Sequence, residues 1–424
     1  MLDIKDIIAN TQFYKEGIAK KNADASPVDG AIKLYEQRNA LRVEVDALKA
    51  EQNKLAKEVQ AANDKQPLIA KMTELKQGIK ENEPKEEELT KQLEDILKSL
   101  PNPAHESVKP GADDEDNSVI RFVGEKPNFD FEAKAHWELG KDLDLIDSEA
   151  GAKVAGSRFH FLKNELVLLQ FALVQYAFEV TMKHNFTPML PPNMVNKNSA
   201  FGTGYLESGH EEEVYCVNPG RDDLYLIGTS EVPNTAYFAN EIIPEAQLPI
   251  RFVAYSPCYR REAGSGGKDE KGILRCHQFD KIEMAVFSDP KKSWEEHELI
   301  REIEEEIWQG LGVHYQLVDI CGGDLGGPAA KKYDIEAWMP GQNAYREVTS
   351  TSNCTDFQAR RLNIRMKGED GKNQILHTLN GTGIAVGRCL IALMEQFQTK
   401  EGEIEIPKAL HKWLPFTKIV KKVK

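Results

Sequence analysis

Along the first quarter of the chain, apolar side chains recur at Leu34, Leu41, Val45, Leu48, Leu55 and Val59, with Arg38 and Gln52 filling the two gaps in the series. Spacings of three, four and seven predict a helix with one apolar stripe of the heptad kind. After the turn-like "AANDKQP", the stripe resumes at Leu68, Met72, Leu75 and Ile79, then at Leu89, Leu93, Ile96 and Leu100. Two such helices joined by a short polar loop predict an antiparallel hairpin that buries its own seam and projects into solvent. Pro84 lacks the amide that a helix interior needs, and predicts a kink or a split near Asn82.

The pattern changes at "LPNPAHESVKPGADDEDN", whose prolines and acid run predict a linker. A long helix is predicted from Phe161 to Lys183, apolar on more than one face. Such a helix must be covered on several sides, by its own sheet or by a second subunit. Short runs rich in Val, Ile, Phe and Tyr follow, among them "DLYLIGTSE", "RFVAYSPCYRRE", "AKKYDIEAWMP" and "QILHTLNGTG". Few helix-length segments separate them, which favours an antiparallel sheet over a parallel one. The expected fold class is therefore α+β. An N-terminal antiparallel helical hairpin occupies residues 1–100, a linker 101–118, and an antiparallel sheet flanked by helices 119–424.

Composition narrows the function classes. No apolar run approaches the ~20 residues of a membrane span, and "MLDIKDIIANTQFYK" is too polar for a signal peptide. Both point to a cytoplasmic protein. Six cysteines, none in a CxxC pair, argue against a disulfide framework and a structural zinc site, and read as free buried thiols. A net charge of −14 opposes broad nucleic-acid affinity while leaving room for a local basic strip.

The chemistry gathers in "CYRREAGSGGKDEKGILRCHQFDKIEMAVF", Cys258 to Phe287. Strand alternation places Arg275, His277, Phe279, Lys281 and Glu283 on one face and Ile282, Met284 and Val286 on the other. On the first arm, Arg260 and Glu262 share a face opposite Arg261. A solvated sheet face with cross-strand ion pairs is the plain explanation. Phe279 in the middle of the charged row suits a stacking nucleobase instead, and the loop "GSGGKDEKG" suits a mobile flap over a ligand. Two further stretches carry unusual charge. "YREVTSTSNCTDFQARR" holds Glu347 and Ser350. "LNGTGIAVGRCLIALMEQF" places Arg388 in the first turns of a helix, where a cation is unfavourable unless an anion sits nearby. Together the three predict a nucleotide site.

"YRREAG…GILRCHQFDKIE" resembles motif 2 of the class II aminoacyl-tRNA synthetases, "GTGIAVGR" motif 3, and "FTPMLPPNMV" motif 1, with Pro192 at its proline position. The helical hairpin, "TSE" at Thr229 to Glu231, "EVTSTSNCTDFQARR" and "VAGSRFHFLKNE" narrow the resemblance to the bacterial-type seryl-tRNA synthetases, over essentially the whole chain. The resemblance implies a ligase that activates L-serine with ATP to seryl-adenylate and transfers it to tRNA(Ser). It implies Arg260 at the α-phosphate, Glu262 reading adenine, Phe279 stacking on it, Arg275 near the γ-phosphate and Arg388 on the far phosphates. Arg261, Val348 and Thr349 complete the ATP-site positions, although alternation turns Arg261 away.

Glu347 and Ser350 match the positions that hold a divalent metal, Mg2+ with ATP. Strict alternation would put the two on opposite faces, so the strand must end or bulge between them. Thr229, Ser230, Glu231, Arg260, Glu283 and Thr382 match the serine contacts, with threonine at 382 in place of a frequent serine. The resemblance also implies a homodimer, no membrane partner, and a coiled-coil arm that grips tRNA through basic residues such as Arg38, Arg42, Lys49, Lys54, Lys57, Lys76 and Lys80. Two alternatives stay open: a ligase that charges a carrier protein, and a non-catalytic nucleotide-binding regulator.

Overall fold

A computed structural model describes residues 2–61, 64–206, 211–263 and 271–422. The chain divides into two compact units, Met1–Pro103 and Ala104–Lys424.

In the first unit two short helices, Ile4–Ala9 and Thr11–Lys20, precede the hairpin of α1 (Pro27–Ala61) and α2 (Gln66–Ser99). The short pair buries Ile7, Tyr14 and Ile18 and escaped the heptad reading, because neither helix is long enough to repeat a stripe. Every seam position predicted in α1 and α2 is buried or half-buried, from Leu34 to Leu100. Gly78 lies close under Leu48, so a Cβ at 78 would stand 3.3 Å from the leucine methyl. Cross-helix pairs flank the seam, Lys49 with Glu83 at 2.8 Å and Lys71 with Glu51 at 2.6 Å. Both are exposed to solvent, which screens them, so they add little to the stability of the seam. Helix α2 runs unbroken through Pro84, so the predicted split does not occur. The arm's other contacts outweigh the one missing backbone bond.

The second unit is built on an eight-stranded sheet. Its strands are β1 (Ser118–Val123), β2 (Thr187–Met189), β3 (Ile250–Tyr259), β4 (Gln278–Ser288), β5 (Tyr315–Asp319), β6 (Lys331–Met339), β7 (Ala344–Asn353) and β8 (His377–Ala385). Their order is β1-β5-β6-β7-β8-β4-β3-β2, antiparallel throughout except for the β2–β3 edge pair. Helices α3 (Glu165–Lys183), α4 (Ser293–Gly310) and α5 (Val386–Gln396) cover one face. Leu169 and Leu173 of α3, Ile300 and Ile307 of α4 and Leu393 of α5 pack there with Ile282, Met284 and Val286 of β4. The apolar half of the predicted alternation is thus the core half. The opposite face carries a smaller cluster around Phe252 and Phe287, and leaves the rest of its polar surface to a cavity.

Helix α3, at 19 residues with a mean hydropathy of 1.3 in its most apolar window, is long and apolar enough to cross a membrane, contrary to the sequence expectation. Half of that window is buried inside the unit, as suits a core helix. Leu168, Phe171 and Met182 stay about half exposed on its outer side. The stretch read as a linker is also more ordered than expected. Ala104 and Val108 pack with Val318, Ile320 and Leu325, and Asn117 Nδ2 donates to Asp324 Oδ2 at 2.9 Å. Five cysteines are buried thiols as expected, but Cys216 is exposed.

Candidate active site

Strands β4, β7 and β8, the segment after β3 and the start of α5 enclose a cavity of about 320 Å³. Its walls hold Thr229, Glu231, Arg260, Glu262, Arg275, Phe279, Lys281, Glu283, Glu347, Val348, Ser350, Thr382 and Arg388. Most of the residues singled out in the sequence therefore converge on one space. Three do not. Arg261 is exposed outside the wall, its amide donating to the Glu213 carbonyl at 2.9 Å. Thr349 turns to the helix face, where its hydroxyl donates to Glu304 Oε2 at 2.8 Å. Ser230 is fully buried at the head of the short helix Glu231–Ala236.

The motif-2 end is held by more than strand alternation. β3 stops at Tyr259 and β4 begins at Gln278, so Arg260, Glu262, Arg275 and His277 lie beyond the regular ladder. A pair of bonds extends the hairpin: the Arg260 amide donates to the His277 carbonyl at 3.0 Å, and His277 Nδ1 donates to the Arg260 carbonyl at 3.0 Å. His277 itself is outside the cavity wall. Glu262 takes a left-handed backbone, φ 51°, uncommon for a side-chain-bearing residue. Arg158 Nη1 supports it by donating to its carbonyl at 3.1 Å, while Arg275 Nε donates to its carboxylate at 2.6 Å. The Arg260 guanidinium stands 5.4 Å from the Phe279 ring centroid. The glycine-rich flap predicted from the sequence falls mostly at 264–270, outside the described residues.

The β6–β7 register resolves the alternation conflict. Glu336 pairs with Glu347 and Ile335 with Thr349, leaving Val348 as an extra residue. That bulge brings Glu347 and Ser350 onto the same wall. Arg388 Nη1 donates to the Glu347 carbonyl at 2.6 Å and lies 3.4 Å from its Oε2. Burial opposes ionisation of Glu347, but Arg388, then Lys332 and Arg260, hold its carboxyl below the usual value. Behind it, burial pushes Asp334 up to about 7, against the attraction of Lys332 at 3.2 Å. Glu347 and Ser350 offer oxygen donors only, which suits a hard divalent cation that takes its remaining ligands from phosphate and water. Among the described residues no group of three or more His, Cys, Asp or Glu could hold a metal unaided.

At the other end two carboxylates meet. Asn380 Nδ2 donates to Glu231 Oε2 at 3.1 Å and to Glu283 Oε1 at 3.2 Å. Thr382 donates to Glu283 Oε2 at 3.4 Å, and Lys281 pairs with the same carboxylate. Gln358 Nε2 donates to Glu231 Oε1 at 2.7 Å, while its own Oε1 accepts from Thr378 at 2.7 Å. Burial, then the nearby Glu283 charge, pushes Glu231 up to about 7. Two acids so placed form a seat for a small cation such as an ammonium. Sequence reasoning missed Asn380 and Gln358. Period-two alternation from Thr382 could have flagged Asn380, but Gln358 reaches in from the helix Phe357–Arg361 and has no local signal.

Comparison with known proteins agrees with this geometry. Residues 1–104 match the seryl-tRNA synthetase N-terminal domain, and residues 214–397 the class II core domain of the G, H, P, S and T tRNA synthetases. The chain is 43% identical over 426 residues to the serine–tRNA ligase of Treponema denticola, covering 99% of this chain and 100% of that one. The crystal structure of seryl-tRNA synthetase from Pyrococcus horikoshii complexed with ATP superposes with a TM-score of 0.95 at 41% identity, each chain fully covered. The cytoplasmic serine–tRNA ligase of Naegleria fowleri in complex with AMP gives 0.90 at 33%, covering 100% of this chain and 99% of that one. A hairpin arm, a mostly antiparallel sheet and full-length identity of this size leave one assignment: the chain belongs to the seryl-tRNA synthetases, ligases of class II.

Proposed function

We propose that the cavity activates L-serine with ATP and then passes the seryl group to tRNA(Ser). One observation carries this reading: the cation-and-aromatic wall of Arg260, Arg275, Phe279 and Arg388 and the paired acids Glu231 and Glu283 line the same space. An adenosine polyphosphate fits the first set, and a small amino acid with a free ammonium fits the second.

In the first step a serine carboxylate oxygen attacks the α-phosphorus of ATP, a new P–O bond forms, and pyrophosphate leaves. Charge grows on the α-phosphoryl oxygens as the bond forms. Arg260 is the fixed cation for that charge, and a site organised in advance stabilises it without reorganising. Phe279 supplies the stacking surface for adenine, Glu262 the polar edge beside it, and Arg388 a cation for the outer phosphates. A divalent cation, Mg2+ by the oxygen-only donors, would be held by Glu347 and Ser350 and would neutralise phosphate charge. In the second step a terminal ribose hydroxyl of the tRNA attacks the acyl carbon and AMP leaves.

Selectivity for serine follows from the acid end. Glu283, Thr382 and Asn380 form a polar network that a serine hydroxyl can join and that alanine would leave unmet. The arm, with its exposed lysines and arginines, is proposed to grip the tRNA. The exposed apolar side of α3 is proposed to face a second copy of the chain in a homodimer, and the enzyme to work in the cytoplasm. Deleting Leu34 to Leu97 and rejoining the ends tests the division of labour. Pyrophosphate exchange should survive while aminoacylation of tRNA collapses; equal loss of both would contradict it.

A further inference from the structure

His136 and Glu395 are both fully buried and lie outside the cavity wall, yet their bonds reach the elements that form it. The Ile273 amide donates to His136 Nε2 at 3.1 Å. A backbone amide can only donate, so Nε2 carries the lone pair and Nδ1 the proton. Nδ1 then donates to Glu395 Oε1 at 2.8 Å, and the same oxygen accepts the His136 amide at 3.0 Å. Glu395 Oε2 accepts the Gly341 amide at 2.9 Å. Every polar atom of the two side chains is thus engaged.

The partners give this pair its meaning. Ile273 opens the Ile273–Leu274–Arg275 run that lines the cavity, and Arg275 is the residue bonded to Glu262. Glu395 lies on α5, two turns beyond Arg388. Just before Ile273, Gly272 has φ 79°, and a Cβ there would come within 2.0 Å of His136 Nε2. The imidazole therefore occupies the space that any side chain at 272 would need.

We propose that His136 is a positioning residue for ATP: through Glu395 it fastens the returning arm of the motif-2 hairpin to the helix that carries Arg388, and so sets Arg275 against Glu262. A merely structural histidine would serve stability alone. This proposal rests on the reading of the cavity as an ATP site, which serine-dependent pyrophosphate exchange by the unaltered enzyme tests separately.

Two conservative variants divide the histidine's bonds. His136→Gln places an acceptor near the Nε2 position and retains the Ile273 bond, whereas His136→Asn places a donor near Nδ1 and retains the Glu395 bond. In the full-length enzyme, His136→Asn should raise KM for ATP about tenfold, the loss expected for one hydrogen bond of about 1.4 kcal/mol. KM for serine should stay within about twofold, since Glu231 and Glu283 are bonded elsewhere. His136→Gln, which keeps the Ile273 bond but cuts the link to Glu395, should raise KM for ATP to a similar extent. An unchanged KM for ATP in either variant, an equal rise in KM for serine, or loss confined to thermal stability would overturn the proposal. Hydrogen exchange of the unaltered enzyme guards against a folding defect in the variants: the Ile273 amide should be protected although it lies outside any strand, and free exchange there would equally overturn it.

Discussion

Arg275 Nε donates to Glu262 Oε2 at 2.6 Å, so the cation assigned to the γ-phosphate and the acid assigned to adenine hold one another across the base of the hairpin. On the proposed reading of the cavity, their bond couples the two ends of the nucleotide site. Charge-assisted hydrogen bonds of this kind are worth about 1.5–3 kcal/mol. Arg275→Ala should therefore raise KM for ATP by about 10- to 100-fold while KM for serine changes little. Steady-state pyrophosphate exchange, with each substrate varied in turn, checks it.

Glu231 gives the enzyme two opposed pH dependences. Folding raises its pKa from 4.5 to about 7, chiefly by burial and then by the Glu283 charge. The folded protein thus holds this proton more tightly than the unfolded chain. Its contribution to stability is complete below about 4.5 and is lost as pH rises through about 7. Serine binding at the proposed seat runs the other way, because an ammonium there needs the carboxylate. KM for serine should rise as pH falls from 8 to 6, with KM for ATP as the control. Gln358→Leu, which removes the 2.7 Å bond that favours the charged form, should move the inflection to higher pH.

Gly381 marks a close approach between β8 and α4. A Cβ there would stand 2.2 Å from Ile300 Cγ2 and 2.8 Å from Glu304 Oε1. Gly381→Ala should destabilise by about 1–3 kcal/mol through overpacking. Gly326→Ala, where nothing lies within 4 Å, is the control. Calorimetry should show a lowered Tm for the first and an unchanged one for the second.

The arm was legible because a heptad stripe is a local signal: Leu41, Val45 and Leu48 announce their shared face without help from the rest of the chain. The charged face of β4 was legible for the same reason, through Phe279, Lys281 and Glu283 at period two. The bulge at Val348 was foreseen only because one metal ion would need both Glu347 and Ser350. Alternation misled beyond the ladder's end. Glu262 reaches the wall through a left-handed backbone and an Arg158 contact, neither of which has a sequence period. The seat around Glu231 was hidden more deeply, since Gln358 and Asn380 approach it from 127 and 149 residues away. The fold of 104–117 onto β5 and its neighbours was masked by prolines and acids that read as a loose connection.

The central claim is that one cavity joins an adenosine polyphosphate to serine and to no other amino acid. ATP–pyrophosphate exchange by the purified chain, run with each of the twenty amino acids in turn, tests it most directly. Serine alone should drive the exchange, and Arg260→Ala should abolish it without lowering Tm. Exchange driven equally by alanine or threonine, or none with serine, would contradict the account.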